Sequence, residues 1–264
     1  MGLCLLGARN PSPSPLGVRS LGYNGSSMIP IPLNDNIRRR TFWACTLALM
    51  IVNTVVFLYE LSLGPQLNRF VYLFGLVPAR YSTPAGIAIL PHLPGFLTSA
   101  LAAMFLHGDW LHLGGNMLFL FVFGRSIEDR FGHSKFLGLY FASGFAAALL
   151  YVEMSAGSHI PSIGASGAIA GVLGAYFVCF PRARITTVLF LIFFFWTVHL
   201  PAVLVLGYWF LIQFVMGFQM LSIQSATGGG VAWWAHVGGF VAGIILGFAL
   251  RPSRPQVEII RQGS

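Results

Sequence analysis

The stretch Gly164-Ala165-Ser166-Gly167-Ala168-Ile169-Ala170-Gly171 opens an apolar run that continues to Phe180. It places the Ser166 hydroxyl among small residues at the start of a helix. Gly167 and Gly171 let another helix approach closely, and serine in a membrane usually bonds to backbone, so this segment by itself favours packing over a nucleophile. Position 168 is Ala, so the Gly-x-Ser-x-Gly pattern of soluble hydrolases is absent. The role of Ser166 therefore depends on what else reaches it.

The composition is that of a polytopic membrane protein. Of the 264 residues, 56% are hydrophobic and 8% are charged, whereas a soluble domain has about 25% charged residues. The 15 basic residues against 7 acidic ones form no patch with interleaved aromatics, which excludes nucleic acid as a partner. Cys4, Cys45 and Cys179 are too scattered for a disulfide framework and lack metal-ligand spacing. We expect no metal and no cofactor.

Six apolar runs predict an all-α membrane protein with six transmembrane helices, since a span needs roughly 20 helical residues. Five predicted spans run from Thr41 to about Leu63, about Leu111 to Phe123, Phe136 to about Met154, about Leu200 to Leu221, and Val231 to Leu250. The remaining span, the fourth along the chain, holds Ser166 near its start and stops near Phe180. Several prolines interrupt residues 64–110, which predicts short helices in the membrane interface. Residues 186–198 are expected to be an extended or interfacial approach to the fifth span, which Pro201 opens.

The arginines orient these spans. All basic residues except Arg69 and Arg80 lie on one side, which puts both termini in the cytoplasm by the positive-inside rule. Residues 1–37 are then a disordered cytoplasmic tail in which Met28 is an alternative start, residues 38–251 are the six-span domain, and residues 252–264 are a short cytoplasmic tail. The compact core suggests a bacterial inner membrane, and the lipid bilayer is a necessary partner.

Spans two, four and six all begin on the outer side, so polar residues near their starts lie at similar depth. His112 and Asn116 are in span two, Ser166 is in span four and His236 is in span six, roughly 5 to 10 Å below the outer helix ends. The glycine stripe at 239, 243 and 247 matches the small face of span four, so the two helices can bring Ser166 and His236 together.

This arrangement suits a Ser-His dyad. Neutral His236 would accept the Ser166 proton and pass it to the leaving amine. His112, Asn116 and the Ser166 backbone N–H are expected to donate to the oxyanion. No carboxylate is evident as a third member, because Asp109 is typical of a helix cap and Glu153 of a solvated charge.

The motifs His107-x4-His112-x3-Asn116, Gly164-Ala165-Ser166-Gly167 and Ala235-His236-x2-Gly239-x3-Gly243 resemble those of the rhomboid family of intramembrane serine proteases. The resemblance covers about residues 40–250. It implies a serine endopeptidase that cuts membrane-anchored substrates near the outer face. Ser166 would be the nucleophile, His236 its base, and His112 with Asn116 part of the oxyanion hole, while His107, Gly164, Gly167 and Gly239 support the site.

Two departures and several alternatives stay open. A Trp-Arg pair that many members carry is not evident near Pro94, and position 170 is Ala where some members have a Tyr under the histidine. Trp233 and Trp234 either supply that bulk or are interfacial belt residues. Span five is either a lateral gate or a lipid-facing helix. The alternative functions are an inactive relative that binds membrane clients and a small transporter. Substrate identity and oligomeric state are left open.

Overall fold

The computed structural model describes residues 31–84, 94–191, 194–222, 232–250 and 258–259. Within these ranges the chain is mostly helical. The helices are α1 (Ala44–Ser62), a 3-10 turn (Gly64–Gln66), α2 (Leu67–Phe74), α3 (Ala79–Ser82), α4 (Phe96–Ala103), α5 (Trp110–Phe119), a π-helical segment (Leu120–Gly124), α6 (Arg125–Phe131), α7 (His133–Met154), α8 (Ser166–Cys179), α9 (Ala202–Ser222) and α10 (Trp233–Leu250). The strands are β1 (Ile31–Asp35), β2 (Ile37–Arg38), β3 (Arg184–Leu191), β4 (Phe194–Pro201) and β5 (Glu258–Ile259).

Four of the described helices are long and apolar enough to cross a membrane, namely α1, α7, α9 and α10. Helix α8 is apolar but has only 14 residues. The predicted ends of these five helices are right to within three residues. Span two differs, because α5 continues through the π-helical segment into α6, past the charged residues Arg125 and Glu128 that were expected to end it.

Charged residues of α6 persist in the helix because they hold the start of α1. The Glu128 carboxylate accepts hydrogen bonds from the backbone N–H groups of Cys45 (2.8 Å) and Thr46 (2.7 Å), which lie in the first turn of α1. Those N–H groups have no acceptor inside their own helix. The Thr46 hydroxyl donates to the same carboxylate at 2.6 Å. The Glu128 carboxylate therefore joins α6 to α1.

The described chain is mostly helical, as expected, but it is not all-α, because β1, β3 and β4 form an antiparallel sheet in the order β1-β3-β4. Residues 186–191 and 194–198 are extended as expected, but they belong to two strands, β3 and β4, that pair with each other in antiparallel fashion. An extended chain must pair its N–H and C=O groups, and the Thr, Val and aromatic residues here suit a strand. The partner strand β1 and strand β2 lie in the segment expected to be a tail, and β2 pairs with β5 near the C-terminus. Residues 1–30, including Met28, lie outside the described residues.

A buried carboxylate joins this sheet to the helices. Asp35, the last residue of β1, accepts hydrogen bonds from the hydroxyls of Ser126 on α6 (2.6 Å) and Tyr176 on α8 (3.0 Å). It also pairs with Arg39. These contacts fix the end of α8 that lies opposite Ser166.

Helix α8 is packed between α7 and α10 through glycines. A Cβ atom on Gly171 would lie 2.1 Å from the Cβ of Ser143 on α7. On the other side, a Cβ on Gly239 would lie 2.0 Å from the backbone oxygen of Gly167, and one on Gly243 would lie 1.9 Å from that of Gly171. Real Cβ atoms do not approach other atoms this closely, so only glycine permits these contacts. The glycine stripe predicted from the sequence therefore meets the small face of α8.

Candidate active site

The glycine contact between α8 and α10 brings Ser166 and His236 together. Ser166 is the first residue of α8, and His236 lies in the first turn of α10. The distance between His236 Nε2 and Ser166 Oγ is 2.8 Å, which is a hydrogen bond. His236 is buried, whereas Ser166 is half-buried. A serine hydroxyl thus lies within reach of an imidazole nitrogen, as a nucleophile and base require.

The second imidazole nitrogen has a partner that the sequence analysis missed. His236 Nδ1 lies 2.6 Å from the side-chain oxygen of Gln213, a buried residue of α9. Asp109 caps α5 by accepting from the His112 N–H, and Glu153 is exposed, so the two carboxylates that were considered occupy other positions. A polar residue in the middle of an apolar span is the signal that would have pointed to Gln213.

Two tryptophans pack around the imidazole. The ring centroid of Trp209 on α9 lies 5.8 Å from that of His236, and the ring of Trp233 stands edge-on at 6.4 Å. Trp234 instead packs edge-on against Phe214 at 6.1 Å. Of the two tryptophans considered as bulk beside the histidine, Trp233 is the one in contact, and Trp209 from another span was not foreseen.

His112 and Asn116 lie beside the residue that leads into Ser166. Gly164 has a φ of +123°, a conformation that other residues rarely adopt. A Cβ atom there would lie 2.6 Å from His112 Nε2 and 3.6 Å from Asn116 Nδ2. Because the His112 Nδ1 faces the Gly108 N–H at 3.5 Å, its Nε2 carries the proton in the neutral ring. Two N–H donors therefore face the loop just before Ser166.

His107 accepts a hydrogen bond from the Asn116 side chain. The Asn116 side-chain nitrogen donates to His107 Nε2 at 3.0 Å, and the His107 Nδ1–H donates to the Phe105 carbonyl at 3.2 Å. The His107 backbone N–H donates to Glu60 of α1 at 3.0 Å. Burial, together with the nearby His112, lowers the pKa of His107 to about 4. Neutral His107 can accept from Asn116, so burial keeps the residue in the state that this contact needs.

A small cavity opens beside Ser166 on the side of α4 and α7. It has a volume of about 30 Å³, which is room for one or two water molecules. The residues that line it include Ser162, Tyr151 and Ser166. The cavity gives water a place next to the serine.

Away from the candidate active site, three residues of types that can bind metal ions lie close together among the described residues. Ligand atoms of Cys45, Glu128 and His133 lie within 4.8 Å of one another, although their spacing in the sequence did not suggest it. His133 Nδ1 lies 2.6 Å from the Glu128 carboxylate, which also caps α1. These hydrogen bonds account for the cluster.

Comparison with known proteins identifies the family. A family model described as the Rhomboid domain matches residues 94–253, more than half of the chain. The chain belongs to the rhomboid family. Rhomboid protein 1, mitochondrial, of Saccharomyces cerevisiae is 31% identical over 211 residues, which are 76% of this chain and 51% of that protein. RHOMBOID-like protein 5 of Arabidopsis thaliana is 32% identical over 159 residues, which are 59% of this chain and 44% of that protein.

A third relative is the presenilin-associated rhomboid-like protein, mitochondrial, of Bos taurus. It is 33% identical over 90 residues, which are 33% of this chain and 24% of that protein. This rhomboid chain therefore spans about half the length, or less, of the curated relatives that it matches.

The expectation of a bacterial inner membrane with both termini in the cytoplasm is wrong. The relatives above come from yeast, a plant and a mammal, and two of the three are named as mitochondrial. The bacterial assignment rested on the compactness of the rhomboid core, which is a property of the fold and does not depend on the membrane that holds it.

Proposed function

We propose that this protein is an intramembrane serine endopeptidase that cleaves membrane-anchored protein substrates with a Ser166-His236 dyad. The observation that carries the proposal is the 2.8 Å contact between His236 Nε2 and Ser166 Oγ in a chain of the rhomboid family. The scissile bond would lie near the membrane face at which α5, α8 and α10 begin. The catalytic domain would comprise residues 38–251.

The chemistry follows from the positions of the donors and acceptors. His236 takes the Ser166 proton as Oγ attacks the substrate carbonyl, and then protonates the leaving amine. The negative charge on the carbonyl oxygen is stabilised by His112, Asn116 and the Ser166 backbone N–H, which has no acceptor within α8. Water from the cavity beside Ser166 then attacks the acyl-enzyme while His236 accepts its proton, and His236 returns that proton to Ser166 Oγ as the ester bond breaks and the carboxylic acid product leaves.

Six membrane spans would arrange these groups, with α5 and its continuation and the shorter α8 added to the four longer helices. The 14 residues of α8 rise about 21 Å, whereas the hydrocarbon core is about 30 Å thick. The start of α8 would therefore lie below the membrane face, and Ser166 with it. A recessed serine needs a place for water beside it, and the cavity next to Ser166 has the room.

A mitochondrial membrane is the location that we infer from the names of the yeast and bovine relatives. Co-fractionation of the tagged full-length protein with a mitochondrial membrane marker would support this location. Recovery with another membrane would contradict it.

The function is tested by cleavage of a single-span substrate by the full-length protein in liposomes. Ser166→Ala and His236→Ala should each lower the cleavage rate at least about a thousandfold, because each removes one member of the dyad. Ser134→Ala and His159→Ala are matched controls at exposed positions. They should leave the rate unchanged.

The alternatives give different results in the same assay. A relative that only binds clients would retain them equally in wild type and Ser166→Ala without shortening them. A transporter would produce flux across the vesicles that does not depend on Ser166. Cleavage that survives Ser166→Ala would refute the proposed protease.

A further inference from the structure

Gln213 is the residue of α9 that reaches into the candidate site. Its side-chain oxygen lies 2.6 Å from His236 Nδ1, and the residue is buried. It lies in an apolar helix whose neighbouring side chains Leu211 and Phe214 are 57% and 43% exposed. A buried amide among apolar residues is costly unless it has a specific partner, and His236 is that partner.

The amide oxygen decides which tautomer His236 adopts. A carbonyl-type oxygen only accepts hydrogen bonds, so Nδ1 must carry the proton. In a neutral imidazole the other nitrogen then has a free lone pair. That nitrogen, Nε2, faces Ser166 Oγ at 2.8 Å, so the hydroxyl donates to it. This is the protonation state in which a histidine can act as a general base.

We propose that Gln213 is a positioning residue that holds His236 in its base-competent tautomer and orientation, so that the dyad is aligned while α9 packs against α10. The inference rests on the proposed function. It assigns to a neutral amide the orienting contact that a carboxylate makes in Ser-His-Asp triads. The amide fixes the ring without placing a charge inside the membrane.

The contact also makes α9 part of the site. Ser166 and His236 lie on helices joined by glycine contacts, but Gln213 lies on a third helix. A displacement of α9 away from α10 lengthens the bond to Nδ1 and leaves the ring free to rotate or change tautomer. The docked position of α9 is therefore the position in which His236 is ready to act.

The test compares Gln213→Met with Gln213→Glu in the full-length protein in liposomes. Methionine keeps the length of the side chain but lacks the amide oxygen, whereas glutamate keeps an oxygen acceptor. The exposed Gln219 on the same helix provides the matched control Gln219→Met. For each variant, kcat and KM are measured on a single-span substrate from pH 5 to 9, together with the rate at which a small fluorophosphonate labels Ser166.

We expect Gln213→Met to lower kcat and the labelling rate together by about ten- to a hundredfold, with KM within about twofold of wild type. Gln213→Glu should recover most of kcat at alkaline pH. Its acid limb should move to higher pH by about one unit, because a carboxylate stabilises the protonated imidazole. Among the described residues, His112 on α5 is the titratable group that acts electrostatically on His236, and it is unchanged in both variants. Gln219→Met should match wild type.

Three outcomes would overturn the inference. The first is Gln213→Met with wild-type kcat and labelling. The second is a kcat for Gln213→Glu that is as low as that of Gln213→Met at every pH. This result would mean that the site needs the shape of glutamine and not its hydrogen-bond acceptor. The third outcome applies if Gln213→Met does not fold. The imidazole ¹⁵N chemical shifts of His236 in the wild-type protein then report its tautomer, and a proton on Nε2 with none on Nδ1 would overturn the inference.

The proposed function can fail separately. If Ser166→Ala leaves cleavage and labelling unchanged, both the dyad and the role of Gln213 fall. If cleavage requires Ser166 but Gln213→Met has the kcat and labelling rate of wild type, the proposed protease activity is supported and only the positioning role of Gln213 is refuted.

Discussion

Two of the helices that pack against α10, α8 and α9, contact it in different ways. Towards α8 the contact is backbone against backbone, and a Cβ on Gly239 would lie only 2.0 Å from the Gly167 oxygen. Towards α9 the contact is made by aromatic rings, with Phe210 stacked on Phe240 at 4.7 Å. Helix α9 also leaves large side chains such as Leu204 and Phe218 exposed, each at 61%.

The difference assigns two properties of the site, the distance from serine to histidine and the orientation of the imidazole, to different contacts. Backbones in contact cannot be displaced without moving whole helices, so the glycine contact determines the distance between Ser166 and His236. Ring contacts can adjust by rotamer changes, so we expect α9 to be displaced from α10 more easily than α8, and the role that we propose for its Gln213 is to orient His236. A helix with this kind of contact is also suited to the role of lateral gate that we considered for span five.

The largest effect is expected from breaking the glycine contact. In Gly243→Ala the added Cβ would lie 1.9 Å from the Gly171 backbone oxygen, so α8 and α10 must separate. We expect a loss of more than about 3 kcal/mol in the free energy of unfolding, or failure to fold, together with loss of Ser166 labelling. Gly138→Ala is the matched control on α7, because nothing lies within 4 Å of its added Cβ. Equal stability of the two variants would refute the close packing.

An intermediate effect is expected at the polar support of α5, where His107 holds Asn116. The pKa of His107 is lowered to about 4 from an ordinary value of 6.5, mainly by burial. At pH values between these two pKa values, His107 binds a proton more readily in the unfolded chain than in the folded one. The free energy of unfolding therefore falls as the pH falls through this window. From pH 7 to pH 5 this term is about 2 kcal/mol.

Thermal or denaturant unfolding in detergent at pH 7 and at pH 5 measures this change in the free energy of unfolding. His107→Gln removes the titrating group, so its loss of stability on acidification should be smaller than that of wild type by this amount. The exposed His159 provides the control His159→Gln, which should behave as wild type does. If His107→Gln and wild type lose the same stability, His107 does not titrate in this window.

The smallest effect is expected on the aromatic side. Phe210→Ala removes the ring stacked on Phe240 and should lower the free energy of unfolding by about 1 kcal/mol. Leu211→Ala, which truncates a 57% exposed neighbour, should change it by less than about 0.5 kcal/mol. If α9 is a gate, Phe210→Ala should also raise the cleavage of a membrane substrate relative to the labelling of Ser166 by a small probe. An unchanged ratio would favour a helix that merely faces lipid.

Several parts of the fold and site could be predicted because they depend on local pattern. Apolar runs of sufficient length predicted the described helices α1, α7, α9 and α10, and the glycine spacing predicted the face on which α8 meets α10. The order of polar residues at the helix starts then placed Ser166 and His236 at one level. Each of these features is a matter of spacing along one helix, which a sequence displays directly.

Other features depend on partners that are distant in the chain. Strands β3 and β4 could be predicted as extended, but the pairing of β3 with β1 joins residues about 150 positions apart. The helix from α5 to α6 runs past its charges because Glu128 finds N–H groups in α1, 82 and 83 positions away. A charge that ends a helix in isolation can cap another helix in the fold.

The sequence by itself determined that the chain lies in a membrane, where most of its helices run, and which small and polar residues mark their ends, because hydropathy and helical periodicity are local properties. Only the tertiary structure decided that Gln213 faces His236 from α9 and that Trp209 packs beside it. Many polar and aromatic residues lie on apolar helices, and the rotation and crossing of those helices select the few that reach the serine.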